Sequence, residues 1–172
     1  VRSKYPPHTM QQEKSPVTPA IRVLRQHKID YTEHLYEYVE KGGTAESSRQ
    51  LAVPEHAVIK TLVLEDETKK PLIVLMHGDC ETSTRNLARQ TGRKHIEPCT
   101  PEAANKHTGY LVGGTSPLGT KKRLPVYMEK SVLQLPRIYL NGGKRGFLVG
   151  LDPQSLLPLL QPILVEVANP RT

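Results

Sequence analysis

The chain has 172 residues, with 24 basic and 17 acidic side chains and a formal charge of +7. That length suffices for one domain with a real hydrophobic core, and the positive excess suits a polyanionic partner while saying nothing of the fold. With no Trp and one Phe, the core must be built on Leu, Val and Ile. The two cysteines, Cys80 and Cys99, make neither a disulfide framework nor a zinc site, and no apolar run approaches the roughly 18 residues of a membrane span. The expectation is a soluble, cytoplasmic protein with no membrane segment, metal or cofactor.

Residues 1–16 are polar, contain prolines and show no apolar period, so they read as a flexible tail; residues 17–168 read as a single domain. Thr18-Pro19 is a helix start, a capping hydroxyl followed by proline at the first helical position, and Ala20, Ile21, Val23 and Leu24 give it an apolar stripe. Ile29 to Tyr38 reads as a strand, Thr44 to Leu51 as a second helix after Gly42-Gly43, and Pro54 to Ala57 as one more turn. Val58 to Leu64 is the strongest strand in the sequence and forms a hairpin with Leu72 to Met76. Within it Lys60 shares the two-residue period of Val58, Leu62 and Leu64. An ammonium in such company is costly unless it meets an anion, a ligand or a path to water.

Ser83 or Thr84 caps a helix that stops at Gly92, and Lys94 to Glu97 forms a short strand. Thr100-Pro101 opens another helix that ends near Gly109. Strands follow at Val126–Met128 and Arg137–Leu140, a turn at Asn141–Gly146, a strand at Phe147–Leu151, a short helix from Asp152-Pro153, and a last strand at Ile163–Val167. Helices and strands mix without strict alternation and several strand pairs are hairpins. That pattern predicts an α+β domain with a mixed, mostly antiparallel sheet.

Two segments stand out for chemistry. Tyr110 to Val112 has the size of a buried strand and breaks into Gly113-Gly114-Thr115-Ser116-Pro117, where the glycines permit close backbone approach and Pro117 stiffens the turn. Lys121, Lys122 and Arg123 follow. The second segment, Gly142-Gly143-Lys144-Arg145-Gly146, can hold phosphate as a backbone nest with two cations, though it is neither a P-loop nor a dinucleotide fingerprint. Both segments also suit an ordinary turn beside a solvated basic patch; together they could converge on one polyanion, positioning a nucleic acid without reading its sequence. Nucleophiles are poor: Cys80 and Cys99 have His77 and His95 nearby in sequence but no third orienting group, and His77-Gly78-Asp79-Cys80 lacks a complete four-ligand metal set.

From Thr18 to about Val167 the chain resembles the YbaK family of free-standing aminoacyl-tRNA deacylases, related to the editing domain of bacterial prolyl-tRNA synthetases. The motifs are Thr18-Pro19-Ala20, Ile59-Lys60-Thr61-Leu62, Thr108 to Gly114 with Ser116-Pro117-Leu118-Gly119, Lys121 to Pro125, and Gly142 to Gly146. The closest likeness is to the Cys-tRNA(Pro) deacylase branch. The resemblance implies the family's α+β editing fold, barrel-like with surrounding helices, and makes Lys60 the essential lysine near the aminoacylated terminal adenosine. It also implies that the loop of Gly113, Gly114, Thr115 and Ser116 up to Pro117 positions the ester. Tyr36 matches a pocket tyrosine, and Thr61 joins Lys60 in its motif. Lys121, Lys122, Arg123, Gly142, Gly143, Lys144 and Arg145 fall to substrate binding. At Thr115 many members carry an aliphatic residue.

The implied partner is the acceptor end of aminoacyl-tRNA(Pro), with prolyl-tRNA synthetase as a further candidate. The implied reaction is clearance of Cys-tRNA(Pro), or of Cys-tRNA(Cys), with the substrate's own thiol attacking its ester. An Ala-tRNA(Pro) deacylase acting through water and a non-catalytic tRNA- or synthetase-binding module are the alternatives.

Overall fold

Hydrophobic strands that alternate faces must bury both faces, and here two separate cores do so. The computed structural model describes residues 15–171, so most of the expected 1–16 tail lies outside the described residues. Helix α1 (Pro19–Gln26) begins where Thr18 accepts a hydrogen bond from the Ile21 N–H (3.1 Å), and it buries Ala20, Ile21 and Leu24. After β1 (Thr32–Leu35), α2 (Gly43–Leu51) and a 3-10 turn (Glu55–Ala57) lead into β2 (Ile59–Asp66). Strand β3 (Pro71–His77) returns antiparallel, and Asp66 shapes the connecting turn by accepting from the Thr68 and Lys70 N–H groups.

Strand β4 (Cys80–Thr82) and helix α3 (Thr84–Thr91) follow, the helix capped by Ser83 accepting from Asn86 N–H and stopped by Gly92. Next come β5 (Ile96–Pro98) and α4 (Pro101–Thr108), which Thr100 caps in the same way. A long loop reaches β6 (Val126–Glu129) and a 3-10 turn, then the hairpin β7 (Ile138–Lys144) and β8 (Phe147–Leu151). The chain continues through a 3-10 turn and α5 (Leu156–Leu160) to β9 (Ile163–Val165) and β10 (Ala168–Pro170).

Three sheets form: a five-stranded one in the order β5-β2-β3-β6-β9, a three-stranded one in the order β1-β8-β7, and the pair β10-β4. Among the described strands, β6 pairs parallel with both β3 and β9, and the other strand pairs are antiparallel. The α+β domain with a mixed sheet is therefore as the sequence predicts, but the barrel-like shape is not: no closed barrel forms among the described residues, and the sheets remain separate. On one face of the five-stranded sheet, Ile59, Ile73 and Leu75 pack with α1, β7, β8 and Leu118. On the other, Leu62, Leu64, Val74 and Met76 pack with Cys80 and with Leu87 and Ala88 of α3.

Several elements differ from expectation. The strand expected over Ile29–Tyr38 shrinks to β1, although the Tyr36 N–H still reaches the Gly146 carbonyl (2.9 Å). Tyr110 to Val112 is not a strand: Tyr110 is buried, but Leu111 and Val112 are 60% and 49% exposed, because no neighbouring strand is there to pair with them. Most of the expected turn over Asn141–Gly146 belongs to β7, with a bulge between Asn141 and Lys144. Strands β4 and β10 are too short to carry a period, and they exist because they pair with each other.

Candidate active site

The glycine loop is built almost wholly of backbone. Helix α4 stops at Gly109, and the Tyr110 hydroxyl, its pKa pushed up to about 12 by burial, donates to the Leu118 carbonyl (2.7 Å) and ties the loop's ends together. The fully buried Ser116 hydroxyl accepts from the Leu118 N–H (3.1 Å), and Thr115 donates its hydroxyl to Leu111 O (3.3 Å). Both hydroxyls thus hold the loop's own shape. Gly113 takes φ +90°, a conformation costly for any side chain, and a Cβ there would lie 2.8 Å from the Tyr38 hydroxyl. At Gly114 a Cβ would meet the Arg145 nitrogen at 2.7 Å and the Lys144 carbonyl carbon at 2.9 Å.

That close approach joins the loop to the tip of the β7–β8 hairpin, so the two glycine-rich basic segments do converge. Asn141 donates its amide to Gly113 O (3.0 Å), while its own oxygen accepts from the N–H groups of Gly143 (2.7 Å) and Lys144 (3.1 Å). Arg145 donates through Nε to Val112 O (2.8 Å), with its guanidinium carbon 5.1 Å from the Tyr38 ring centroid. Thr18 donates its hydroxyl to Gly142 O. A polar depression of about 650 Å³ lies beside this joint, lined by Tyr36, Glu37, Gln50, Lys144, Arg145 and Gly146 among others. Burial pushes the Tyr36 phenol above its usual range.

Lys121 and Lys122 donate their backbone N–H groups to Thr108 O (2.9 Å) and His107 O (3.1 Å), which places them against the last turn of α4. Their side chains and that of Arg123 are exposed, and Lys106 and His107 join them. The Lys122 ammonium lies 3.3 Å from His107 Nδ1. Burial, followed by the charges of Lys122 and Lys106, lowers the His107 pKa. The result is a basic patch at one end of the glycine loop.

Lys60 lies in a different setting. The β2–β3 register sets Lys60, Leu62 and Leu64 opposite Met76, Val74 and Leu72, on the face of the second core. Its ammonium donates to the Cys80 carbonyl (2.6 Å) and borders a cavity of about 270 Å³ shared with Leu62, Glu81, Thr82 and Pro98. Burial and then the charge of Arg171 lower its pKa, while Glu81, Cys80 and Glu55 oppose the shift. The two cavities share no lining residue, and among the described residues no hydrogen bond joins the Lys60 side chain to the glycine loop.

Between them lies a gap between two sheets. Val58 and Tyr139 form an isolated parallel bridge, beyond which lie Lys60 on β2 and Asn141 on β7, the residue that holds Gly113. At its far end the gap closes where the Cys99 N–H reaches Val63 O (3.0 Å) and β5 begins to pair with β2 at Leu64. Between these points the outer edge of β2 has no partner strand among the described residues. Period-two alternation turns the backbone groups of Thr61 to that edge, as it does those of Val63. The Thr61 hydroxyl is buried without a partner among the described residues. A buried polar group left open in this way calls for a water or a ligand.

Sequence reasoning passed over Asn141 and Tyr38. Asn141 carried a signal, since Asn before Gly-Gly is a residue that bonds to backbone further along the chain. Tyr38 carried none, because its place over Gly113 and Arg145 depends on the hairpin folding back. Neither cysteine is poised as a nucleophile: burial and then Asp79 raise the Cys80 thiol, and burial with the charge of Glu65 pushes Cys99 up to about 11.

The glycine-built loop is thus clamped to a basic hairpin through Asn141 and Arg145, and the half-buried Lys60 lies apart from it on β2. Residues 40–159 match the aminoacyl-tRNA editing domain, and the chain belongs to this YbaK-type editing family. Among its relatives is a protein of Enterococcus faecalis provisionally named Cys-tRNA(Pro)/Cys-tRNA(Cys) deacylase EbsC, 32% identical over 153 residues, 88% of this chain and 93% of that one. The proline–tRNA ligase of Brachyspira hyodysenteriae is 28% identical over 86 residues, which is half of this chain but 15% of the ligase. A crystal structure described as a provisional trans-editing enzyme for prolyl-tRNA synthetase shares the fold, with a TM-score of 0.77, 22% identity and coverage of 90% of this chain and 99% of that one.

Proposed function

We propose that the protein is a trans-editing deacylase that removes cysteine from mischarged tRNA(Pro). The observation that supports this most is the combination of a backbone-built glycine loop, locked to a basic hairpin, with two thiols that are held protonated. Such a site can orient an ester and stabilise charge on it, but it offers no convincing nucleophile of its own. In this reading the terminal phosphates lie along Lys144, Arg145 and the Lys121–Arg123 patch. The terminal adenosine lies in the gap beside β2, against the unpartnered Thr61 hydroxyl, with Lys60 reaching it from the opposite face of the strand. Among the described residues, the N–H groups of Gly113 and Thr115 donate no hydrogen bond; they can therefore receive the developing oxyanion.

The chemistry then belongs to the substrate. The cysteine thiol gives up its proton, its sulfur attacks the ester carbonyl carbon, and the tetrahedral oxyanion collapses. The bond to the ribose oxygen breaks, that oxygen takes a proton, and free tRNA leaves with a cyclic thiolactone that water later opens. Proximity within the bound substrate supplies what a protein nucleophile would otherwise provide. Small pockets discriminate poorly among small side chains, so selection by thiol reactivity gives a specificity that fit alone cannot reach. Prolyl-tRNA synthetase is the enzyme whose errors are cleared, in keeping with its relatives carrying a matching segment.

A deacylation panel with Cys-, Ala-, Ser- and Pro-tRNA(Pro) tests the reading. Rapid loss of Cys-tRNA(Pro) alone is expected. Preferred hydrolysis of Ala-tRNA(Pro) replaces it with a water-based deacylase, and no turnover on any member leaves a binding module.

A further inference from the structure

Away from the glycine loop, the turn from β3 into β4 faces the 3-10 turn before β2 and brings three different donors together. His56 Nδ1 lies 2.8 Å from Asp79 Oδ1, the Cys80 sulfur lies 3.5 Å from the same oxygen, and the three ligand atoms are all within 4.8 Å of one another. Donors around a tetrahedral zinc ion stand roughly 3.3–3.8 Å apart, so small side-chain movements complete the geometry.

The surroundings hold these donors in place. The His56 ring stacks on His77 at 3.7 Å and 6°. His77 has both nitrogens engaged, one with His56 O (2.8 Å) and one with the Ser131 hydroxyl (2.7 Å), so it fixes the ring without competing for an ion. The turn itself is pinned by Gly78 N–H on Val58 O (2.7 Å), by Arg171 N–H on Asp79 O (3.3 Å) and by Lys60 on Cys80 O (2.6 Å). Cys80 is buried, whereas His56 and Asp79 are 44% and 41% exposed, which leaves an approach from solvent.

We infer that His56, Asp79 and Cys80 form a zinc-binding site, with the ion placed between His56 Nδ1, the Asp79 carboxylate and the Cys80 sulfur. Imidazole, carboxylate and thiolate are the ligand types zinc takes, and three protein ligands leave a fourth position for water. With the ion on Nδ1, the single proton of the neutral His56 ring sits on Nε2, the Asp79 carboxylate binds as the anion, and the Cys80 thiol releases its proton to solvent. The negative charges of the thiolate and of Asp79 then balance the ion. The inference does not rest on the deacylase reading.

The test uses the full chain, stripped with chelator and titrated with Zn²⁺ against a chromophoric competitor, and separately with Co²⁺. One ion per chain, a thiolate-to-cobalt charge-transfer band and a rise in melting temperature are expected. His56→Gln and Asp79→Asn, both at part-exposed positions, should each weaken Zn²⁺ binding roughly tenfold or more, and Cys80→Ser should remove the cobalt band. Cys99→Ser should leave the band in place. The inference is overturned by the absence of stoichiometric binding, by folded His56→Gln and Asp79→Asn proteins that bind as tightly as the parent, or by a band that follows Cys99.

Discussion

The glycine loop and the corner around Lys60 are two ways of building the proposed site. The loop spends its side chains on its own shape: Tyr110, Thr115 and Ser116 all bond within it, and what it shows outward is backbone. The Lys60 corner does the reverse, with a regular strand presenting one charged side chain among Glu81, Glu55 and Arg171. A loop of the first kind fails when an atom is added at Gly114, because the neighbours there are backbone that cannot turn aside. A corner of the second kind fails when a charge is removed, and the strand survives the loss.

Substitutions should separate the two kinds. The largest effect is expected from Lys60→Ala, which should lower deacylation by more than about 100-fold, as misplacement of the bound terminal adenosine does. The melting temperature should hold or rise: a lysine whose pKa is lower folded than unfolded subtracts from stability at neutral pH. A mutant that unfolds would make Lys60 structural. Gly114→Val should come next, with a loss of about 100-fold in single-turnover rate from misplacing the ester. Because its Cβ meets backbone, overpacking should also cost about 1–3 kcal/mol. Its tRNA affinity should change far less, and an unchanged rate would reduce the loop to an ordinary turn.

A smaller effect belongs to the basic patch. Replacing Lys121 and Lys122 together by Ala should weaken tRNA binding and lower the slope of log affinity against log salt by roughly 0.7–0.9 per cation, with little change in the rate once tRNA is saturating. The smallest effect should come from His107. Its pKa is lowered in the free protein by burial and by Lys122 and Lys106, and a phosphate between these groups would raise it. Affinity should therefore increase as pH falls from about 8 to about 6, and His107→Gln should flatten that trend. Titration of binding against pH for both proteins decides the point.

Much of this could be read from the residues, for unequal reasons. Thr-Pro starts, Ser83 and the glycine stops marked the helices because capping is local chemistry. Lys60 stood out because one charge broke an apolar alternation. The run Tyr110–Val112 was misread as a strand: three apolar residues carry no sign of whether a neighbouring strand is waiting. The gap between β2 and β7, the clasp of Asn141 on Gly113 and the pairing of β4 with β10 all join residues far apart in the chain, so no local pattern announces them. The His56 cluster was half visible, as Asp79-Cys80, but its third donor comes from another element.

The central claim is that the site positions the ester and the substrate attacks it. Rapid-quench mass spectrometry of Cys-tRNA(Pro) turnover in ¹⁸O water tests this most directly. The account predicts that a thiolactone accompanies the first free tRNA and that cysteine appears only later. Cysteine as the first product, already carrying solvent oxygen in its carboxyl group, would contradict it and place an activated water in the site.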